Sequence, residues 1–536
     1  MMHTPIRRLL VLVATLCCLG THSPAQPELS LEKLRVLRQE AASRQRRVIM
    51  NNDGNEPVIN CTNPTPEELL RYRTTPLVGS QVDSIFYCTW SSGFSLFTHN
   101  TKVGQVFNSK TFWPNNITQE MLDAGTDPLR VMVDFGKKQG IEIFWSFRMN
   151  DTHDAGLSSY GPPLFQANKL KQQHPEWLVG SAEHRPKYGT WSSVDYSHAE
   201  IRDLAFRYAE EVCQNYNVDG IELDFFRHAF FFKRSGNGEP CTQQELNQMT
   251  DLMRRIRRMT EAEGQRRGRP ILVAMRLPDS VEYCRVIGLD LERWLSEGLM
   301  DLLVPSGYIQ LNPWTYSVAL GRKYGVKVYP ALDESRVVEP KAEKAVDGPA
   351  QSQSRNHLFS YRGRALNVWQ SGADGVYFYN LFNPTHPIWR EAGDPQKLAR
   401  LDHDYFASVR GLGRVPVPHA KYVTIPILNP GQPIKVGTTT PAKVALQVGA
   451  TLPTDTPPIL TLRLRFKDGA PADQISVRLN GEILRNGSRT GDWLEFKVTP
   501  ASIKTGTNDV SVSNTGSSSV WWNDLQLQVR YAHPTG

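Results

Sequence analysis

Val218-Asp219-Gly220-Ile221-Glu222-Leu223-Asp224-Phe225-Phe226-Arg227-His228 is the stretch whose reading decides the fold. Ile221, Leu223 and Phe225 alternate with Glu222 and Asp224, the period of a β-strand whose two faces differ. Strand side chains alternate, so the two carboxylates share a face with their Cα atoms about 6.6 Å apart, from a ~3.3 Å rise per residue. His228 joins that face only if the strand stays extended that far. Helical patterning flanks the strand at Ala199–Tyr216 and Gln243–Glu263, where apolar residues recur at three- and four-residue spacing.

Working outward, the same strand–loop–helix event repeats. Short β-branched or aromatic runs occur at Arg47–Asn52, Ser84–Thr89 and Ile141–Phe147, then Gly220–Phe225 and Ile271–Leu277. Leu302–Gly307, Val326–Leu332 and Gly375–Asn380 complete the set. Eight alternating units predict an α/β fold, a parallel sheet closed into a (β/α)8 TIM barrel. A doubly wound open sheet would show a Gly-rich phosphate loop after its first strand, but Asn51-Asn52-Asp53-Gly54-Asn55 stands there.

The ends of the chain read differently. Arg7 and Arg8, an apolar run Leu9–Leu19 and the small residues Ser23-Pro24-Ala25 predict a signal peptide over 1–25, cleaved after Ala25. The run is too short for a permanent membrane span. A lipid anchor at Cys17 or Cys18 is the weaker alternative, because Leu16 is bulky beside that cleavage point. The reading is export, to the periplasm or outside the cell. Residues 26–45 form a helical extension, and the barrel runs over 46–412. Gly411 to Pro418 marks a linker, assigned to 413–420. From 421 to 536 helical patterning gives way to short strands at Ile459–Phe466, Ile475–Leu479, Trp493–Val498 and Ser519–Arg530, with Asn480-Gly481 as a hairpin turn. That is an all-β sandwich.

Composition excludes several classes. Hydrophobic residues make up 40% and charged residues 21%, ordinary globular usage. Removing the leader takes two arginines and no acids, leaving 59 basic against 54 acidic residues, a net charge of about +5. The basic residues lie mostly along helices such as Asp251 to Arg267, a solvated face, which disfavours a nucleic-acid partner. Cys61, Cys88, Cys213, Cys241 and Cys284 lack metal-ligand spacing, and no His-x-His pair occurs, so neither metal nor cofactor is expected. Export permits a disulfide, but five cysteines leave at least one thiol or an intermolecular bond.

In a closed parallel barrel, substrates meet the C-terminal ends of the strands. Two carboxylates inside a barrel are costly to bury without partners, which argues for chemistry. Arg148 and Arg276, at the ends of the neighbouring strands, are expected to favour the ionised forms and lower both pKa values. Asp224, nearer the mouth, is then the nucleophile or base. Glu222 is either the second catalytic group or a deeper orienting residue tied to arginine. Glu334, after the seventh strand, is the candidate general acid, a solvent-facing loop glutamate being the other reading. Strand ends elsewhere carry Asp53, Tyr87, Trp90, Trp145, Asn150, Arg227, His228, Tyr308 and Asn380. Aromatic platforms beside carboxylates, amides and arginines are what a sugar's C–H faces and hydroxyls require.

Ser193-Val194-Asp195-Tyr196-Ser197-His198-Ala199-Glu200-Ile201-Arg202, the stretch Tyr216–Phe226, Leu291–Asp301 and Val304-Pro305-Ser306-Gly307-Tyr308 also carry a resemblance. Together they resemble the family-10-like glycosyl hydrolase group of barrel proteins, similar in turn to the alpha-amylase-type superfamily. The resemblance runs from Arg46 to Asn383. It implies a TIM barrel, sugar-polymer substrates and a key acid at the end of the fourth strand, here Asp224. Two features depart from it. Relatives often carry paired aspartates where this chain has Asp224-Phe225, and the amylase pattern has arginine where Glu222 stands. Arg227-His228 does fit. The tail, with Ser476–Gly481 and Lys504–Asn508, resembles accessory galactose-binding-like sandwiches. The expected function is hydrolysis of glycosidic bonds in a polysaccharide or oligosaccharide by two carboxylates. The alternative is a non-catalytic carbohydrate-binding surface protein on the same scaffold.

Overall fold

The computed structural model describes residues 29–156, 161–305, 310–333, 357–407, 420–425, 428, 433–467 and 472–532. The leader, most of the expected linker, Tyr308 and Glu334 lie outside the described residues. The barrel is built from β1 (Val48–Asn52), β2 (Val82–Tyr87), β3 (Glu142–Arg148), β4 (Gly220–Asp224), β5 (Leu272–Leu277) and β6 (Leu302–Pro305). β7 follows in two pieces, Lys327–Val328 and Ala331–Asp333, and β8 is Val376–Tyr379. All neighbours pair in parallel. The sheet begins and ends on the two pieces of β7. Pro330 has no N–H to give the ladder, yet its carbonyl accepts from Tyr377 while the Tyr329 N–H reaches Leu303. The strand therefore bridges both neighbours and the barrel closes.

Alternation sorts the strand residues into two layers. Ile49, Phe86, Phe144, Leu272, Ala274, Leu302, Val304, Tyr329, Ala331, Tyr377 and Tyr379 form the interior cluster. Their neighbours along each strand, such as Ile85, Ile143, Ile221 and Val273, pack outward beneath the helices. Gly220 opens β4 because a Cβ there would lie 2.2 Å from the Phe144 ring and 2.7 Å from the Leu272 carbonyl. That vacancy lets the ring fill the interior.

The N-terminal mouth is plugged. α1 (Leu31–Ser43) delivers the carbonyls of Ala41 and Ala42 to the guanidinium of Arg46. That group is fully buried and also pairs with Glu142 at 2.7 and 2.9 Å. Of the covering helices, α2 (Ala199–Asn215) and α3 (Gln243–Arg267) pack against one another. α3 starts at a reciprocal cap between Thr242 and Glu245 and stops at Gly268 in the left-handed region. α4 (Leu358–Gln370) closes the ring before β8.

The tail is a sandwich of two antiparallel sheets. Its strands are β9 (His403–Phe406), β10 (Ile434–Val436), β11 (Ala442–Val448), β12 (Ile459–Lys467) and β13 (Ile475–Leu479). β14 (Glu482–Ile483), β15 (Ser488–Thr490), β16 (Trp493–Val498), β17 (Gly506–Asn514) and β18 (Val520–Arg530) complete it. One sheet runs β9-β18-β12-β16-β15 with β10 also on β18, the other β11-β17-β13-β14. Asn480 and Gly481 both have positive φ, 51° and 92°, as a tight hairpin turn requires. β9, upstream of the expected linker, belongs to this sheet and lies against α4. There Gly363 faces the Asp404 carbonyl, which a Cβ would meet at 2.0 Å. Barrel and sandwich residues thus share one continuous apolar core. The five cysteines of the described residues are all free thiols.

Candidate active site

At the C-terminal end of β4 the sequence-derived pair is found on the interior face. Glu222 is fully enclosed and Asp224 nearly so. Arg276, directly opposite Asp224 on β5, grips its carboxylate with two bonds, Nε to Oδ1 at 2.9 Å and Nη2 to Oδ2 at 2.5 Å. The main-chain N–H groups of Phe226 and Arg227 also donate to Oδ1, so Asp224 both ends the strand and builds the following turn. Arg276 lies over the Tyr379 ring at 3.8 Å. Glu222, one layer deeper, accepts from the hydroxyls of Ser146 at 2.5 Å and Tyr377 at 2.8 Å.

The two acids are therefore electrostatically unequal. Burial first, then the charge of Asp224, pushes the Glu222 carboxyl up to about 7. This corrects the expectation that arginines lower both. The guanidinium of Arg276 is committed to Asp224, leaving Glu222 with neutral hydroxyl donors. Arg148 does not serve the pair at all. It reaches Asp53 at 2.6 Å, Asp151 at 3.2 Å and the Trp90 carbonyl at 3.2 Å.

A second polar network joins the loops after β1, β3 and β4. Burial opposes ionisation of Asp53, but Arg148, Arg227 and Arg73 outweigh it and hold the carboxyl well below its ordinary range. Asp151 is fully buried. It accepts main-chain N–H groups from Gly93 and His153 and pairs with His153 Nδ1 at 2.7 Å. Against burial, His153, Arg148 and His228 keep it ionised. The His153 side chain is 26% exposed and sits 3.3 Å from Arg227 through Nε2. His228 has φ 58°, so the strand does not extend to it, and its Nδ1 accepts the Thr152 N–H. Burial keeps that ring neutral. Trp90, Ser91 and Asn380 also have positive φ, at the ends of β2 and β8. Such strained backbone clusters at functional sites.

Other candidates separate from this group. Tyr87 and Trp145 pack in the helix-facing layer, because each is one residue out of phase with the interior positions Phe86 and Phe144. Trp145 Nε1 donates to Thr89. Trp90 stacks on Phe107 in a loop cluster with Trp113 and Leu164. Asn150 bonds main chain only, linking Val194 and Phe230. Asn380 is half-buried. Sequence reasoning missed Ser146, Tyr377, Asp151 and His153. The first two were legible as even-phase neighbours of Phe144 and Tyr379. The Asp151-x-His153 spacing was the signal for the others.

Asp151, His153 and His228 bring one ligand atom each within 4.8 Å of one another. A divalent cation there would sit beside the guanidinium groups of Arg148 and Arg227, which already contact Asp151 and His153. The donor set suits a hydrogen-bond network better than a cation.

A closed (β/α)8 barrel with carboxylates at the C-terminal mouth and an attached sandwich defines the class of this protein. Residues 72–253, which carry β2, β3 and β4, match the family Glycosyl hydrolase-like 10. The resemblance read from the motifs is thereby shown over that segment. No curated protein matches the chain. Among solved structures, the PgaB (BpsB) glycoside hydrolase domain from Bordetella bronchiseptica is similar at 12% identity. The match covers 66% of this chain and 99% of that one, with a TM-score of 0.40. Alpha-L-fucosidase isoenzyme 2 from Paenibacillus thiaminolyticus gives 12% identity over 66% of this chain and 48% of its own, with a TM-score of 0.37. A family 18 N-acetylglucosaminidase from Paenibacillus barengoltzii gives 13%, 64%, 99% and 0.34 for the same quantities.

Proposed function

We propose that the chain is an exported glycoside hydrolase that cleaves glycosidic bonds of a polysaccharide or oligosaccharide at the C-terminal mouth of its barrel. The observation that carries the reading is Asp224, fixed on the interior face by Arg276 and two turn N–H groups. That grip fixes the carboxylate in place, and fixed geometry is the first requirement of a nucleophile or general base. Glu222 is the deeper orienting residue, because it is enclosed and reaches Asp224 only through the field they share with Arg276. Glu334, next in sequence to Asp333 of β7, is assigned the general-acid role, with an oxocarbenium-like transition state between the two groups. Asp53, Arg148, Arg227, His228 and Asn380 border the same mouth, and Tyr308 is a further candidate contact. Export rests on the leader sequence. No helix of the described residues is long and apolar enough to cross a membrane.

The test is product analysis by the purified protein on neutral, uronic and sulfated polysaccharides, followed by Asp224→Asn and Glu334→Gln on whichever is cleaved. Loss of turnover in folded variants is expected. Full activity of a folded Asp224→Asn protein would remove the assignment. One observation favours the second reading, carbohydrate binding without catalysis: the Asp224 carboxylate, enclosed by Arg276 and two turn N–H groups, is only 2% exposed. Glycan binding without product release across the panel is the result that selects it.

A further inference from the structure

The sandwich carries a feature that the barrel chemistry does not use. Trp521, the second residue of β18, is 38% exposed, one of the few large apolar side chains left in solvent. A single exposed tryptophan needs no explanation, but its neighbours do. In the strand register Trp521 is opposite Lys435 on β10 and opposite Lys467 on β12. Both lysines are exposed. Adjacent strands lie ~4.8 Å apart, so the lysine backbones stand about 9.6 Å from one another with the indole between them.

A second, independent irregularity falls at the same place. The β12–β18 register shifts between Arg465 and Phe466, which pair with Asp524 and Trp522 and leave Asn523 as the extra residue of a β-bulge. Bulges re-aim side chains and are over-represented beside functional sites. Asn523 is 8% exposed, and its Oδ1 has no hydrogen-bond partner among the described residues. Charge points the same way. Residues 421–536 hold twelve basic and eight acidic residues, a net +4 of the whole chain's +7.

We propose that this row is a binding site for an anionic polysaccharide. Trp521 stacks on the apolar C–H face of one sugar ring, and Lys435 and Lys467 pair with acidic groups on either side. Lysines one strand to each side of an indole suit a polymer with carboxylates or sulfates on the residues flanking the stacked ring. The site lies on the sandwich and does not depend on catalysis at Asp224.

The test uses the full chain in affinity electrophoresis and calorimetry against polygalacturonate, dextran sulfate and dextran. Binding to an anionic polymer is expected to weaken as salt rises, with dextran bound far more weakly. Polygalacturonate against dextran sulfate distinguishes carboxylate from sulfate recognition. Trp521→Ala is expected to reduce affinity about tenfold, as loss of a tryptophan anchor does, with Trp521→Tyr restoring most of it and confirming the fold. Lys435→Ala with Lys467→Ala is expected to erase the preference for charged polymer. Lys443→Ala, an exposed lysine of β11 on the other sheet, serves as the control that leaves this binding unchanged. Equal binding of dextran, wild-type affinity in the Trp521→Ala protein, or no binding of either anionic polymer would overturn the proposal.

Discussion

Arg276→Met is the perturbation that most directly probes the interior. Methionine approximates the apolar stem of arginine but carries no charge, so the change isolates the guanidinium. In the parent, the two side chains of the pair are 0% and 3% exposed and joined by two bonds. Solvent screening, which makes surface pairs nearly worthless, has little purchase here. Removing one member of an enclosed pair leaves the other charge unpaired, at a cost of about 3–5 kcal/mol. Asp224 would keep two main-chain N–H donors, which places the expected loss near the lower end, about 3 kcal/mol. Asp224→Asn alone leaves Arg276 enclosed, with Nη1 already lacking an acceptor among the described residues, and a similar loss is expected. The double variant should lose less than the sum, since neither stranded charge remains. Urea midpoints of the barrel transition for the four proteins complete the cycle. A loss under about 1 kcal/mol for Arg276→Met, or strict additivity, would refute an enclosed pair as the structural heart of the site.

Further outcomes follow from the same geometry. The Glu222 carboxyl is raised from 4.5 to about 7, so its contribution to stability is complete below about pH 4.5 and is lost as pH rises through about 7. Glu222→Gln should therefore flatten the fall in urea midpoint between pH 5 and 8, and an unchanged pH slope would contradict the assignment. Asn150→Ala strands buried main-chain groups of Val194 and Phe230, at about 1–3 kcal/mol each. It should lower thermal stability, and a KM effect at unchanged stability would return Asn150 to the substrate. Gly54→Ala should prevent folding, because at φ 62° its Cβ would lie 1.5 Å from the Cys88 carbonyl oxygen. A soluble variant melting like the parent would show that this loop can move.

What was legible in advance was whatever depends on periodicity. The eight barrel strands stand out because each is a short β-branched or aromatic run beside a helical one. The shared face of Glu222 and Asp224 follows from alternation alone. The same rule separates Tyr87 and Trp145 from the interior, yet it applies only once phase is known across neighbouring strands, and register is a tertiary quantity. Partner choice was hidden for the same reason. Arg148 and Arg276 look equivalent in sequence, but Arg276 pairs across from Asp224 on β5 while Arg148 turns to Asp53 after β1. Strand β9 escaped notice because four residues, His403–Phe406, are too few to show a period. They become a strand by pairing with β18.

The departures from the resembled family acquire a physical account in this geometry. Where the amylase pattern has arginine two residues before its aspartate, this chain has Glu222, which would put two negative charges and no cation on one face of β4. Arg276 supplies the missing cation from the adjacent strand, in register with Asp224. One guanidinium can neutralise one carboxylate bidentately, so the second acid, enclosed without a cation of its own, has its pKa raised first by burial and then by the Asp224 charge. The arrangement favours the protonated form of the acid beneath the mouth, whose carboxyl is pushed up to about 7. If Glu222 were replaced by arginine, two cations would compete for Asp224 and the Tyr377 hydroxyl would lose its acceptor. Restoring the resembled motif at this position should therefore destabilise the barrel, and Glu222→Arg with Arg276→Met together should be better tolerated than Glu222→Arg alone. The reverse order of stabilities would mean that the cation on β5 is not what replaced the arginine of β4.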